Sequence, residues 1–192
     1  MSDRAAVDVP RIETERLILR AFDETDAPAV AFYADPDVMR FMPRGHWARE
    51  DVERKFVKML EIVRDRWREH GFGMWAVVLK STNAVIGHCG LQRLEGGEDV
   101  EVFYLLDKPY WNRGIATEAA SAALRFGAER GLTKIVAVAF PENLASQRVM
   151  EKSGLTFAGR ANHYGAELVK YVMTVGAAAR TETGPGVGND RA

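Results

Sequence analysis

YWNRGIATEAASAALRFGAERG, residues 110–131, is the stretch whose reading decides the fold. Bulky and polar residues run into one glycine, Gly114, and an alanine-rich helical pattern begins at once and stops at Gly131. Alanines let a helix lie close against a sheet. A helix start also offers free backbone N–H groups and the positive end of the macrodipole, both of which favour an anion. The flanks decide between packing and anion binding. VEVFYLL (Val100–Leu106) precedes the stretch as a strand-like run, and IVAVAF (Ile135–Phe140) follows it, apolar nearly throughout as in a strand covered on both faces. Strand, helix and buried strand read as a right-handed β-α-β crossover with parallel strands. The loop and helix start then lie at the carboxyl end of the first strand, where open α/β sheets place ligands. The anion is favoured.

Outward from this unit, the period of the apolar residues assigns the remaining elements. RLILR (Arg16–Arg20) is a short strand. Asp23 or Thr25 caps a helix through Tyr33, and DPDVMRFM predicts a second, with Asp35 as cap and Pro36 at its first position. From Arg49 to His70 the apolar residues Val52, Phe56, Leu60, Val63 and Trp67 fall on one helical face, with Gly71 as the stop. MWAVVL and AVIGHCGL are strands joined by KSTN in a hairpin turn. Leu144–Ser153 predicts a short helix, and LTFAGRA with ELVKYVMT a closing hairpin. Residues 1–10 read as a flexible leader and 176–192, which lack large apolar side chains, as a disordered tail.

Composition narrows the function. A chain of 192 residues fits one domain with a substantial core, and its 47% hydrophobic and 28% charged residues are those of an ordinary globular protein. A net charge of −1 gives no overall drive toward nucleic acid or an anionic membrane. Cys89 is the single cysteine, which excludes an internal disulfide, and the four histidines show no zinc-ligand spacing. No apolar stretch is long enough to span a bilayer, and the charged N-terminus has no signal-peptide core. The expected location is cytoplasmic.

The loop lacks the spaced glycine and Gly-Lys-Ser/Thr of a phosphate loop and the three glycines of a dinucleotide fingerprint, which argues against a nucleotide-binding domain. Its context is more specific. IETERLILR, ADPDVMRFM, GMWAVVLKSTNAVIGHCGL, VEVFYLLDKPYWNRGIATEA and PENLASQRVMEKSGLTFAG occur in this order over residues 11–175. In that order they resemble the GNAT superfamily of acetyl-CoA-dependent N-acetyltransferases, and within it the RimJ/RimL group that modifies ribosomal-protein N-termini. The resemblance implies a single α/β (α+β) domain over residues 11–175. Its sheet would be mixed, mostly antiparallel and twisted, with six to seven strands, a central parallel pair splayed for the cofactor, and helices on both faces.

The superfamily's pyrophosphate loop carries Gln or Arg, two residues, Gly, one residue, then Gly or Ala. Those positions are Trp111, Gly114 and Ala116, so Trp111 departs from the broad pattern. The resemblance implies that acetyl-CoA binds through backbone N–H groups of Asn112, Arg113, Gly114, Ile115, Ala116 and Thr117, with the Thr117 hydroxyl helping. Arg113 either adds charge at the pyrophosphate or points to solvent. Backbone groups at Leu105 and Leu106 would hold the pantetheine arm. Asn143, which also suits an N-cap, would bond the same arm, and Ser146 would face the departing sulfur, where its hydroxyl can protonate the thiolate.

Acetyl transfer needs a neutral amine, a stabilised oxyanion and an accepted thiolate. An α-amine of pKa ~8 is about a tenth neutral at pH 7, whereas a lysine at ~10.4 is neutral about 0.04% of the time. The ratio, roughly 250-fold, corresponds to about 3 kcal/mol, so an N-terminal acceptor leans less on a base. Glu101 is the candidate base or water-orienter, although strand alternation alone could equally turn it to solvent. Tyr104, Tyr110 and His163 are rival acid–base residues, and Trp47, Trp67, Trp75 and Phe72 either line an acceptor pocket or sit in the core.

The expected activity is therefore acetyl transfer to a primary amine, foremost a protein or peptide N-terminus. Its alternatives are a small-molecule amine such as an antibiotic or polyamine, and a catalytically silent acyl-CoA-binding module. Expected partners are acetyl-CoA and the acceptor, in a monomer or homodimer with no nucleic acid or membrane. Because the tail can form no core, truncation after Gly176 is expected to leave melting temperature and activity unchanged. A large fall in either, in a thermal melt or a thiol-release assay, would show that the tail docks.

Overall fold

In a computed structural model the described residues are 7–42 and 45–175. The tail, and most of the leader expected over residues 1–10, lie outside them. Eight strands form one sheet: β1 (Ile12–Glu13), β2 (Leu17–Arg20), β3 (Met74–Leu79), β4 (Ala84–Arg93), β5 (Val100–Leu106), β6 (Lys134–Ala139), β7 (Thr156–His163) and β8 (Ala166–Thr174). Their spatial order is β1-β2-β3-β4-β5-β6-β8-β7. Every pairing is antiparallel except β5 with β6. That parallel pair is joined only at Val100–Ile135 and Glu101–Val136, so the strands part over the rest of β5 and the sheet opens at its centre.

Alternation along β4 and β5 sorts the two faces. On one face His88 reaches Tyr33 in the 3-10 segment Glu24–Ala34, and Gln92 reaches Arg66 of α1 (Val52–His70). On the other, Leu91 and Ile135 lie against Gly127 of α2 (Ile115–Glu129), and Tyr104 bonds Ser146 of α3 (Leu144–Lys152). The amphipathic α1 buries Val52, Phe56, Leu60, Val63 and Trp67, the face its spacing predicts, and ends at Gly71 in a left-handed conformation (φ 70°). Its α-helical part starts at Val52, after a 3-10 turn over Arg49–Asp51.

The mixed, mostly antiparallel sheet with its central parallel pair is as expected; to the about six to seven strands expected, the described residues add the two-residue β1, too short for any periodicity to show. Several other expectations need correction. The segment after Asp23 is 3-10, not α. Asp23 does cap it, accepting from Thr25 N in a capping box with Asp26, but Pro28 lacks an N–H and Val30 leaves helical geometry. DPDVMRFM forms turns and no helix. The Asp35 carboxylate accepts from Asp37 N in an Asx turn, a local bond that competes with helix extension. Trp67, Trp75 and Phe72 are buried; Trp67 and Trp75 pack edge-to-face on each other and on Phe126, so both indoles belong to the core.

Close approach of β3 and β4 depends on Gly90. A Cβ there would lie 2.5 Å from Gly73 O and 2.7 Å from Met74 Cα, both backbone atoms that cannot swing away. Gly90→Ala is expected to lower unfolding free energy by about 1–3 kcal/mol through overpacking. Denaturant titration checks it, with an unchanged midpoint as the contrary result.

Candidate active site

The helix start of α2 stands at the mouth of the opening between β5 and β6. Asn112 (φ 58°) and Gly114 (φ 73°) are both left-handed, which curls the loop so that successive N–H groups point into one concavity. Gly114 is the N-cap of α2, and no side chain caps the first turn. The N–H groups of Ile115, Ala116 and Thr117 are thereby left for an external acceptor. Ile115, 1% exposed, anchors the turn in the core while Asn112 to Gly114 lie on the surface. The Arg113 guanidinium sits 5.8 Å from the Tyr110 ring centroid.

Two features here left no local trace in the sequence. Arg16, in the turn before β2, donates from Nη1 to Arg113 O (2.9 Å) and from Nε to Glu118 (2.6 Å), which also accepts from Thr14 Oγ1 (2.6 Å) and Arg16 N (2.8 Å). The bonds fasten the loop to the β1–β2 turn and place a further cation beside it. Burial opposes the charged form of Glu118, but these bonds prevail and hold its carboxyl below the ordinary range. Trp111 donates from Nε1 to Leu106 O (2.7 Å), tying the loop to the end of β5. An aromatic donor at that position has a structural purpose, which accounts for the departure from Gln or Arg.

Along the open edge, Phe103, Tyr104 and Leu105 are half-buried. Asp107 N bonds Ile86 O, and Leu105 O points at Gly87, so both groups face β4. Alternation then turns the backbone groups of Tyr104 and Leu106 toward the gap. Of the two leucines singled out in the sequence, Leu106 presents its backbone there and Leu105 presents its backbone to β4. Across the gap, Tyr104 Oη lies 2.9 Å from both Ser146 Oγ and Ser146 O. Asn143 caps α3 by accepting from Ser146 N at Oδ1 (3.1 Å), which leaves its Nδ2 as a spare donor. Burial raises the Tyr104 hydroxyl well above its usual value, while the Ser146 bond pulls the other way.

Glu101 lies where β5 and β6 still pair, and it is 3% exposed. Alternation had left its direction open; the structure turns it inward, against Gln92 on β4 and the β7–β8 turn. Its Oε1 accepts from Gln92 Nε2 and from the Tyr164 hydroxyl. Burial raises the carboxyl above its ordinary range, and these two donors only partly offset that. His163, beside Tyr164, uses Nδ1 on Glu95 (2.8 Å), and its Nε2 is buried without a partner among the described residues. Nearby, His88 bonds Tyr33 (2.7 Å); burial pushes its pKa down to about 3, so it stays neutral. Trp47, alone of the four candidate aromatics, stacks half-buried on this Tyr33, at 4.4 Å. Cys89 is fully buried with its thiol pushed up to about 12, which leaves no thiolate nucleophile at neutral pH.

A sheet opened between two parallel strands, with an uncapped helix start at one end, is an α/β architecture with room for an extended, anionic ligand. The sequence profile of the acetyltransferase (GNAT) domain matches residues 16–156, and the chain belongs to that family. It is 33% identical over 150 residues to the uncharacterised N-acetyltransferase YnaD of Bacillus subtilis (strain 168), covering 77% of this chain and 84% of the relative. The crystal structure of a GNAT-family acetyltransferase from Bacillus anthracis superposes with a TM-score of 0.72 at 31% identity, over 86% of this chain and 98% of the other. The ribosomal L7/L12 alpha-N-protein acetyltransferase RimL, solved with coenzyme A, shares the fold at a TM-score of 0.68 and 19% identity, over 86% and 98% of the two chains. The protein is accordingly an acyltransferase. Among the described residues, no helix is long and apolar enough to cross a membrane.

The helix start carries a sharp test. An added Cβ at Gly114 meets nothing nearer than Arg16 Nη2 at 3.6 Å, so a side chain fits the protein itself. It would occupy the concavity, and a β-branched residue resists φ 73°. Gly114→Val is expected to keep the fold and weaken coenzyme A binding tenfold or more, about 1.4 kcal/mol. Calorimetry checks it; unchanged affinity in the folded variant removes this loop from the cofactor site.

Proposed function

We propose that the protein moves an acetyl group from acetyl-CoA directly to a primary amine, and that the acceptor is the α-amine of a protein or peptide N-terminus, as in the RimJ/RimL group it resembles. The observation that carries this reading is the pairing of a buried Glu101 at the closed end of the β5–β6 gap with Tyr104 and Ser146 inside it. The residues at the gap fit acetyl-CoA. The uncapped N–H groups at Ile115–Thr117, with Arg16 and Arg113 beside them, suit a pyrophosphate, and the parted strand edge leaves backbone groups for the amides of an extended arm.

Acetyl-CoA supplies the activated thioester; the chain supplies position and protons. Asn143 Nδ2 and the backbone of Tyr104 and Leu106 hold the arm along the gap. Glu101, lifted above the ordinary carboxylate range, takes the proton of the incoming ammonium, directly or through one water. Ser146 Oγ delivers a proton to the leaving sulfur, and the second proton, released by the acylated nitrogen, restores the hydroxyl pair that Ser146 forms with Tyr104 Oη. Direct transfer is supported by Cys89, whose thiol at about 12 offers no acyl-enzyme nucleophile. The α-amine is favoured because a carboxylate is a weak base. Near pKa ~8 an acceptor needs little help, whereas near ~10.4 it needs a great deal.

The test is thiol release from acetyl-CoA against peptides with a free N-terminus, N-blocked lysine peptides, polyamines and aminoglycosides. Free α-amine peptides are expected to be turned over fastest; turnover confined to the small amines would move the assignment to that class. A pH–rate profile tests Glu101. The base form is lost as pH falls through its raised pKa, and the acceptor becomes neutral unaided above about pH 8. Glu101→Gln should therefore slow turnover most between those limits and least above them, with a larger defect for a lysine acceptor. In the same assay Ser146→Ala should lower kcat with little change in the acetyl-CoA KM. A Glu101→Gln profile that overlays the parent's would remove Glu101 from the chemistry.

A further inference from the structure

The turn between β7 and β8 is a two-residue hairpin turn with positive φ at both centres, Tyr164 (φ 53°) and Gly165 (φ 77°). Such a turn asks for Asn-Gly or Asp-Gly, and a bulky aromatic at its first centre is a genuine outlier. The neighbouring loop holds the outlier in place. Glu95 accepts from Tyr164 N (2.7 Å) at Oε1 and from His163 Nδ1 (2.8 Å) at Oε2, so one carboxylate grips the first turn residue and the end of β7. Glu95 is itself left-handed (φ 51°). Two unfavourable backbone conformations are thus kept next to each other, and their result is that the Tyr164 hydroxyl reaches Glu101.

The destination of that hydroxyl matters as much as its presence. Tyr164 Oη and Gln92 Nε2 both donate to Oε1 of Glu101. Gln92 is fixed in this sense by Arg66 of α1, which donates to the amide oxygen and so aims Nε2 at Glu101. Oε2 accepts no hydrogen bond among the described residues. We infer that Tyr164 is a positioning residue for Glu101: with Gln92 it saturates Oε1, fixes the carboxylate plane, and leaves Oε2 as the oxygen that takes the proton of the acceptor amine. The inference rests on Glu101 acting as the base in the proposed transfer. In that step an amine N–H bond breaks, the proton passes to Oε2, and the nitrogen lone pair is freed to attack the thioester carbonyl.

The groups facing Glu101 define what a titration would read. They are Gln92 from β4, Tyr164 and His163 from the β7–β8 turn, and Glu95 from the loop before β5. Of these, His163 favours the carboxylate, Glu95 opposes it, and the two hydrogen bonds favour it. Removing the Tyr164 hydroxyl withdraws a donor from the charged form, so the base form would be lost at a higher pH than in the parent.

The experiment compares Tyr164→Phe and Tyr164→Asn, each alone and combined with Glu101→Gln. It records kcat/KM for a free α-amine peptide against pH, the acetyl-CoA KM and the melting temperature. Asn suits a left-handed turn position, so a merely structural role for Tyr164 predicts that Tyr164→Asn keeps both stability and rate. The inference predicts that Tyr164→Asn melts no lower than the parent, yet loses about tenfold in kcat/KM, as does Tyr164→Phe. In both, the acid limb of the profile moves to higher pH and the acetyl-CoA KM stays unchanged. In the Glu101→Gln background, replacing Tyr164 should cost nothing further. Parent-like rates and profiles in both Tyr164 variants, while Glu101→Gln is impaired, would overturn the inference and leave the proposed function standing. An equal loss with and without Glu101 would overturn it too, since Tyr164 would then act elsewhere. A silent Glu101→Gln would overturn the base assignment and the inference with it.

Discussion

β5 and β6 share two paired positions and then separate, and the rest of the structure is arranged around that separation. Parallel strands left unpaired in mid-sheet expose N–H and C=O groups that must find partners in water or in a ligand. The closed end is clamped to prevent the gap from running further. Asp99, just before β5, accepts from Lys134 of β6 and Lys170 of β8, each at 2.7 Å. The lysine bonds, Lys134 first, hold its carboxyl below the ordinary range. β6 pairs with β8 from Lys134 to Ala139, so it keeps a full ladder on its far side while losing one on its near side. At the open end Trp111 ties the α2 loop to Leu106, and Tyr104 ties β5 to α3. The gap is held open by bonds at both rims.

Side-chain alternation gives the gap two chemically different faces. Glu101 lies on the face covered by α1 and the Glu24–Ala34 segment, along with Gln92, His88 and Tyr164. Tyr104 lies three residues along β5, on the opposite face with α2 and α3. For the proposed transfer, Glu101 on one side of the opened sheet and Tyr104 on the other suit a reaction in which the amine enters from one face and the thiol departs toward the other. Neither group has to serve both purposes, so their proton affinities can be set apart by their surroundings. Burial raises both, but Glu101 is lifted from a low starting value toward neutrality and Tyr104 is pushed further from it. Tyr104 is therefore kept protonated as a hydroxyl.

Much of this was legible in the sequence where the signal was local. The strands β2 to β6, the long α1 and the helix start at Gly114 follow from apolar period and from glycine placement, which depend on residues a few positions apart. Asn143 as the cap of α3 is equally local. The Glu24–Ala34 segment is helical after its Asp23 cap, but Pro28 falls beyond the first turn, where its missing N–H works against the α form, and the segment is 3-10. DPDVMRFM has cap and proline in the right order for a helix, yet the Asx turn at Asp35 satisfies the backbone first.

The parts that escaped are contacts between residues far apart in the chain. Arg16 and Glu118 are separated by 102 residues, and Tyr164 and Glu101 by 63, and no pattern in either segment announces the other. A tyrosine ahead of glycine in a hairpin turn is, however, a signal that sequence reading can use. Turn chemistry there favours a small polar residue, so a large one marks a place where local preference has been overruled. Tyr164 meets that description and Glu95 supplies the restraint, which is why the conflict points to the site rather than to a packing defect. The same reasoning separates Tyr164 from Tyr171. Tyr171 sits in the middle of β8 with its ring buried in the core and its hydroxyl reaching Gln147 and Glu151, where no local preference is violated. A residue whose backbone is at ease can be explained by packing alone; one held against its preference needs a reason in what its side chain touches, and Tyr164 touches Glu101.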